Sequence, residues 1–163
     1  MKNQKIDLLS IKHFTLSKYL LLFLIPLIMD QITKILALKR YLPSKVNNFL
    51  SFDLSFNRGI SWSFFHSEYD YVFFIVSSIV WLIIIFLIIH TWYRFKQGFS
   101  ILGEILILAG AVSNFIDRLL HGGVIDFIIF SFGSWSWPIF NFADVFIIIG
   151  AMIMLKNNFA STP

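Results

Sequence analysis

Carboxylates and amides are the residues of this 163-residue chain best suited to chemistry. The chain has no cysteine, which excludes a thiolate nucleophile and a cysteine-ligated metal. Its four histidines lie far apart, without the spacing of metal ligands. When two carboxyl groups lie close together, one pKa rises and the pair shares a proton, so that one member accepts a proton from water and the other donates one. Such a pair needs no cofactor and no metal.

Composition predicts the environment in which these groups work. The chain is 58% hydrophobic and 13% charged, with a mean hydropathy of +0.79, whereas a soluble domain is about 45–50% apolar and roughly 25% charged. Its 20 Phe, 5 Trp and 5 Tyr exclude a disordered protein. The net charge of +4 comes from basic residues scattered in ones and twos, which favours orientation in a membrane over nucleic-acid binding. We therefore expect a small integral membrane protein.

The elements that must position the carboxylates are predicted from apolar runs. A membrane-spanning helix needs about 20 mostly apolar residues. Four segments qualify, approximately 18–38, 71–92, 100–120 and 138–155. They predict an all-α integral membrane protein with four transmembrane helices, in a single domain covering residues 1–163. In the outer loop, about 39–70, the alternation from Leu50 to Phe56 predicts a half-buried strand, and Val124–Phe132 is a second apolar stretch rich in β-branched residues.

Basic residues predict the orientation. Seven lie on the side of the N-terminus: Lys2, Lys5, Lys12, Lys18, Arg94, Lys96 and Lys156. The opposite side carries Lys39, Arg40, Lys45 and Arg58. This bias favours a cytoplasmic location for both termini. Near the inner end of the third helix, we expect Glu104 to extend to the membrane interface or to face the cytoplasm.

In this up-and-down arrangement the polar residues of the membrane segments converge on one face. The C-terminal ends of the first and third helices share a side with the start of the fourth. The set is Asp30, Lys34, Asn57, Arg58, Asn114, Asp117, Arg118, Asp126, Asn141 and Asp144. Ionisable residues inside a membrane are costly and by default indicate function. The sequence thus predicts a carboxylate-rich pocket open to one interface, which would permit the chemistry of aspartic proteases.

Five short motifs in this set resemble those of the lipoprotein signal peptidases, also called signal peptidase II. In chain order they are Asp30-Gln31-Ile32-Thr33-Lys34, Asn57-Arg58-Gly59, Asn114-Phe115-Ile116-Asp117-Arg118, Val124-Ile125-Asp126-Phe127 and Phe140-Asn141-Phe142-Ala143-Asp144. The resemblance covers about residues 18–157. The chain departs from the family pattern at Ile60, Ser61, Ser113 and Val145, none of which removes an acid or amide of the site.

The resemblance implies a bacterial inner-membrane aspartic protease that removes the signal peptide of prolipoproteins before a diacylglyceryl-modified cysteine. It implies Asp126 and Asp144 as the catalytic pair, near the outer face, without a cofactor. It also implies substrate-binding or supporting roles for Asn57, Gly59, Asn114, Asp117, Arg118, Asn141, Asp30 and Lys34. The implied partners are prolipoproteins and membrane lipids, with no nucleic acid and a monomeric protein.

Several alternatives stay open at this point. Asp117 competes with Asp126 for the catalytic role or forms an ion pair with Arg118, and Asp126 alone is also compatible with an ordinary loop acid. Lys34 is expected to extend to the membrane interface. A proton-coupled transporter would place ionisable groups across the whole depth of the membrane, and an inactive scaffold would keep the motifs without the activity.

Overall fold

The computed structural model describes residues 2–40, 43–59 and 69–160. Within these residues it contains four helices and four short strands. The helices are α1 (Lys2–Arg40), α2 (Asp70–Lys96), α3 (Leu102–His121) and α4 (Phe142–Ala160), and the strands are β1 (Ser44–Lys45), β2 (Leu50–Asn57), β3 (Val124–Phe132) and β4 (Trp135–Ser136). Two of the departures from the family pattern, Ile60 and Ser61, lie outside the described residues.

Two of these helices are long and apolar enough to cross a membrane, namely Leu16–Arg40 and Asp70–Lys96. Both expose many large apolar side chains, as a lipid-facing surface requires. Helix α3 differs because it carries Glu104, Asp117 and Arg118, and all three are buried inside the protein. Most of the described residues are helical, and the four strands form a small sheet.

The four helical segments predicted from sequence exist, but two of their boundaries are wrong. Helix α1 begins at Lys2 instead of residue 18, since the polar residues ahead of its apolar run continue the helix. Helix α4 begins at Phe142 instead of residue 138. Before it, Phe140 forms an isolated antiparallel bridge with Ile128, which keeps the chain extended up to Asn141.

The strands form one antiparallel sheet in the order β1-β2-β3-β4, so the predicted strand in the outer loop is confirmed. Leu50, Phe52 and Leu54 pack against a buried cluster of Ile125, Phe127 and Ile128. The register shifts between Phe52 and Ser55, which breaks the alternation and leaves the Phe56 side chain 41% exposed. Beyond the shift, the end of β2 lies beside the start of β3, where Asp126 is located.

Helix α2 is fixed to α3 at the end opposite the converging polar residues. Arg94 Nε lies 2.7 Å from Glu104 Oε1, and the Glu104 side chain is fully buried. The expectation that Glu104 extends to the interface or faces the cytoplasm is therefore wrong, because its side chain is enclosed by the protein. Burial of a carboxylate is costly unless it is paired, and Arg94 supplies the partner.

Helices α3 and α4 run antiparallel in close contact through small residues. A Cβ added at Gly103 would lie 2.6 Å from the Gly150 carbonyl oxygen, and one added at Gly150 would lie 2.5 Å from the Gly103 carbonyl oxygen. Farther along, a Cβ at Gly110 would overlap the Ala143 carbonyl oxygen. Small residues allow helix backbones in membranes to approach in this way. This contact fixes the first turn of α4, which carries Asp144.

We predict that Gly110→Ala lowers the stability of the folded protein by about 1–3 kcal/mol, the usual cost of overpacking. Helix propensity alone predicts the opposite sign, because alanine is favoured over glycine by about 1 kcal/mol in a helix. Thermal unfolding of the purified protein in detergent distinguishes the two. An unchanged or raised midpoint would contradict the close contact with Ala143.

Candidate active site

Nine of the ten polar residues predicted to converge do so in the structure, at one end of the helical bundle, and the side chain of the tenth, Arg58, pairs with Asp70 at the start of α2. The nine come from five elements, with Asp30 and Lys34 on α1, Asn57 at the end of β2, Asn114, Asp117 and Arg118 on α3, Asp126 on β3, and Asn141 and Asp144 at the start of α4. Most are buried, and the exposed fraction is 2% or less for Asp30, Lys34, Asp117, Asp126 and Asn141.

The Asp126 carboxylate accepts hydrogen bonds from two asparagine side chains. Asn141 Nδ2 donates to Oδ1 at 2.7 Å, and Asn57 Nδ2 donates to Oδ2 at 3.2 Å. Asn57 reaches it because the end of β2 is paired with the start of β3. Both oxygens of this buried acid therefore face N–H donors.

The Asp144 carboxylate is held in a similar way. Asn114 Nδ2 donates to its Oδ1 at 3.0 Å, and the Asn141 backbone N–H donates to its Oδ2 at 3.2 Å. In return, Asn141 Oδ1 accepts the Asp144 backbone N–H at 3.0 Å. This reciprocal pattern is a capping box, in which Asn141 is the N-cap of α4 and Asp144 its third residue. The three-residue spacing of Asn141 and Asp144 therefore reflects the start of α4, and Asn141 itself lies directly before the first helical residue.

The pKa of Asp126 is raised to about 7, chiefly by burial and then by the negative charge of Asp144. The hydrogen bonds from Asn57 and Asn141 and the positive charge of Lys34 act in the opposite direction. The two acids are therefore close enough to influence each other electrostatically. A carboxyl that titrates near neutral pH can hold or release a proton under physiological conditions.

A buried ion triad lies behind this pair. Lys34 Nζ is 2.6 Å from Asp30 Oδ2 and 2.7 Å from Asp117 Oδ2, and none of the three side chains is more than 1% exposed. The expectation that Lys34 extends to the membrane interface is therefore wrong, as is an ion pair of Asp117 with Arg118. One cation between two acids reduces the cost of burying all three.

The triad holds the backbone on the N-terminal side of each acid of the pair. Asp30 Oδ1 accepts the Ala143 N–H at 2.8 Å, and Ala143 directly precedes Asp144. Asp117 Oδ2 accepts the Ile125 N–H at 3.2 Å, and Ile125 directly precedes Asp126. The positions of both acids therefore depend on the same ion triad.

Two residues of this cluster were given no role in the sequence analysis, which named Gln31 within the first motif and Ser113 as a departure from the family pattern. Gln31 Nε2 donates to Asp117 Oδ1 at 2.9 Å and to Ser113 Oγ at 2.9 Å. Ser113 Oγ in turn donates to Asp30 Oδ2 at 2.7 Å. Their signal in the sequence was position alone, since each is adjacent to a residue of a recognised motif.

Arg118 contacts the segment that follows β2. Its guanidinium donates to the Arg58 carbonyl oxygen at 3.3 Å and also to the Gly59 carbonyl oxygen. Asn57 Oδ1 accepts the Gly59 N–H at 2.9 Å, which closes a tight turn. Asn57 thus connects this turn to the Asp126 carboxylate, and Arg118 holds the turn in place.

The chain matches the model of the signal peptidase (SPase) II family over residues 22–160. It is 33% identical to a lipoprotein signal peptidase of Rickettsia conorii over 96% of this chain and 80% of that protein. It is 35% identical to one of Polynucleobacter necessarius over 88% of this chain and 90% of that protein.

Two solved structures of a bacterial membrane enzyme, obtained by the in meso method at 2.3 and 1.9 Å resolution, have the same fold. Each superposes on 90% of this chain with a TM-score of 0.70. The 2.3 Å structure is 26% identical and is matched over 92% of its own length, and the 1.9 Å structure is 27% identical and is matched over 95%. With its apolar helices, its sequence matches and this fold, the chain belongs to the signal peptidase II family of membrane proteases that process lipoproteins.

Proposed function

We propose that the protein is an aspartic endopeptidase that cleaves prolipoproteins before a diacylglyceryl-modified cysteine, with Asp126 and Asp144 as the catalytic pair. One observation carries the proposal: among the described residues, two neighbouring acids accept hydrogen bonds from amide N–H donors alone, and burial together with the charge of Asp144 raises the pKa of Asp126 to about 7.

In the proposed reaction the pair holds one proton. The ionised carboxylate accepts a proton from water as the water oxygen attacks the scissile carbonyl carbon, and the other carboxyl donates its proton to the carbonyl oxygen. The tetrahedral intermediate then breaks its C–N bond: the leaving nitrogen takes a proton from the protonated carboxyl, and a hydroxyl group of the intermediate returns its proton to the other carboxylate, which restores the singly protonated pair. All four contacts to Asp126 and Asp144 are N–H groups that donate to the carboxyl oxygens. None of them accepts the carboxyl proton, so that proton is free to be donated to the substrate.

The hydrogen bonds of Asp117 favour a supporting role over a catalytic one. Its carboxylate is paired with Lys34 and also accepts N–H groups from Gln31 and Ile125. Its contacts are thus taken up by the ion triad and by the backbone that precedes Asp126. Among the described residues, no Lys, Arg or His lies within ion-pair distance of Asp126 or Asp144.

We propose positioning roles for the surrounding polar residues. Asn57, Asn114 and Asn141 direct N–H groups at the pair. Arg118 and Gly59 fix the turn after β2, next to Asn57. These contacts support the view that the asparagines orient the acids, in addition to any contact with the substrate backbone.

We further propose that all four helices cross the bacterial inner membrane as one monomeric domain, with both termini cytoplasmic and the acid pair near the outer face. Contacts between α3 and α4 and between Arg94 and Glu104 support the up-and-down arrangement. Exposed Trp135 and Trp137 on the side of the pair fit an interfacial aromatic belt. The lipid of the substrate would then stay in the outer leaflet.

The structure favours this function over a proton-coupled transporter. A relay needs ionisable groups through the depth of the membrane. In the described part of α3, the residues between Glu104 and Asn114 are uncharged, and Glu104 is already paired with Arg94. The acids are thus concentrated on one side, where a substrate can enter from the membrane surface.

We predict that Asp126→Asn and Asp144→Asn each reduce cleavage of a diacylglyceryl-modified prolipoprotein by at least about 1,000-fold, because each removes one member of the proton-sharing pair. The measurement is the rate of signal-peptide release by purified, folded protein, with and without a metal chelator. Asp53→Asn is the matched control, since Asp53 is an exposed acid on β2, and it should keep full activity. Substantial cleavage by either pair variant would overturn the assignment.

We predict that kcat/KM falls as the pH rises through about 7, since the pair then loses its shared proton. Asn57 donates an N–H to Asp126 and favours its ionised form, so Asn57→Ala raises the pKa of Asp126. A hydrogen bond to a charged group is worth about 1.5–3 kcal/mol, so its loss moves the falling limb of the pH–rate profile to higher pH by roughly one to two units.

The pH–rate profile of cleavage tests this shift. Asn47→Ala is the control, because the Asn47 side chain binds backbone N–H groups in the turn before β2 and makes no contact with Asp126. A limb that moves to lower pH in Asn57→Ala, or that moves equally in both variants, would be incompatible with the proposed role of Asp126.

A further inference from the structure

Lys34 makes one contact that the ion triad does not require. Its ammonium nitrogen lies 2.8 Å from Asn114 Oδ1, in addition to its contacts with Asp30 and Asp117. An ammonium group carries three hydrogens and no acceptor, so it can donate one hydrogen to each of these three oxygens. The contact with Asn114 connects the triad to the acid pair, because Asn114 also donates a hydrogen bond to Asp144.

This contact fixes the orientation of the Asn114 amide. Because Lys34 only donates, the atom facing it must be the carbonyl oxygen, and the amide nitrogen then faces Asp144 at 3.0 Å. The opposite orientation would place a carbonyl oxygen against the Asp144 carboxylate and a hydrogen-bond donor against the ammonium group. Both contacts would be repulsive.

Asn141 cannot replace Lys34 in this role. Its Nδ2 donates to Asn114 Oδ1 at 3.0 Å, but it also lies 2.7 Å from Asp126 Oδ1 and 3.2 Å from the Ile125 carbonyl oxygen. An amide nitrogen has two hydrogens for these three acceptors. Asn141 therefore cannot satisfy Asn114 continuously, whereas Lys34 has one hydrogen for each of its partners.

We propose that Lys34 is a positioning residue for catalysis, which acts through Asn114 to direct an N–H at the Asp144 carboxylate. The inference rests on the proposed catalytic role of Asp144. Asp30 and Asp117 have further donors besides Lys34, in Ser113 and Ala143 for the first and Gln31 and Ile125 for the second. A role confined to neutralising these two acids would not require the contact with Asn114.

A double-mutant cycle of Lys34→Met and Asn114→Ala tests the proposal in the prolipoprotein cleavage assay. Each single variant should lower kcat on the order of 100-fold, as expected for a misplaced catalytic group, with KM changed by less than about twofold. If Lys34 acts through Asn114, the double variant loses no more than the worse single variant. Multiplicative losses, or a Lys34→Met variant that changes only KM, would overturn the proposal.

Gly103→Ala is the control for lost stability without a change at the site. A Cβ at Gly103 would lie 2.6 Å from the Gly150 carbonyl oxygen, at the end of α3 opposite the acid pair. We expect this variant to lose thermal stability through overpacking while its kcat stays within about threefold of the wild type. A Gly103→Ala variant that reproduced the kinetics of Lys34→Met would attribute those kinetics to lost stability alone and contradict the proposal.

Lys34→Met leaves Asp30 and Asp117 buried without their cation, which endangers folding. The cycle is therefore repeated on an Asp117→Asn background, where loss of the cation no longer leaves two unpaired acids. Improved folding without recovery of kcat supports the proposal, and recovery of kcat with stability overturns it. If Asp144→Asn remained active, the proposed function itself would fail, which distinguishes that failure from a failure of the Lys34 assignment alone.

Discussion

The burial of one lysine between two aspartates is the interaction on which the site depends. Lys34 lies within 2.7 Å of both Asp30 and Asp117, and all three side chains are removed from solvent. Transfer of each ion from water costs several kcal/mol, so such a triad is weak evidence of stabilisation in itself. Its value is geometric, because Asp30 holds the backbone before Asp144 and Asp117 holds the backbone before Asp126. One ionic cluster thereby joins α1, α3, β3 and the start of α4.

The four aspartates of the site divide into two electrostatic classes. Asp30 and Asp117 are paired with the Lys34 cation and accept backbone N–H groups. Among the described residues, the donors to Asp126 and Asp144 are amide N–H groups, and burial together with the charge of Asp144 raises the pKa of Asp126 to about 7. The same residue type thus supplies both rigid supports and a proton-sharing pair. The difference lies in the location of a single positive charge.

Much of this arrangement could be predicted from the sequence, because apolar runs and the depth of polar residues follow from the cost of polar groups in lipid. The strand at Leu50, the convergence of the acids and the family were confirmed. The environment of Lys34 was not predictable, since a lysine near a helix end is equally suited to extend to the interface. Nor was the helix cap at Asn141, which depends on the strand pairing of Phe140. Hydrogen-bond partners such as Gln31 and Ser113 are defined only by packing between distant segments.

The central claim is that Asp126 and Asp144 share one proton, and infrared spectroscopy of the purified protein tests it most directly. Difference spectra between acidic and basic pH report the C=O stretch of a protonated carboxyl group. The account predicts one such band at mildly acidic pH, which disappears as the pH rises through about 7 and is absent or displaced in Asp126→Asn and in Asp144→Asn. A band that persists unchanged in both variants, or no titrating carboxyl near neutral pH, would contradict it.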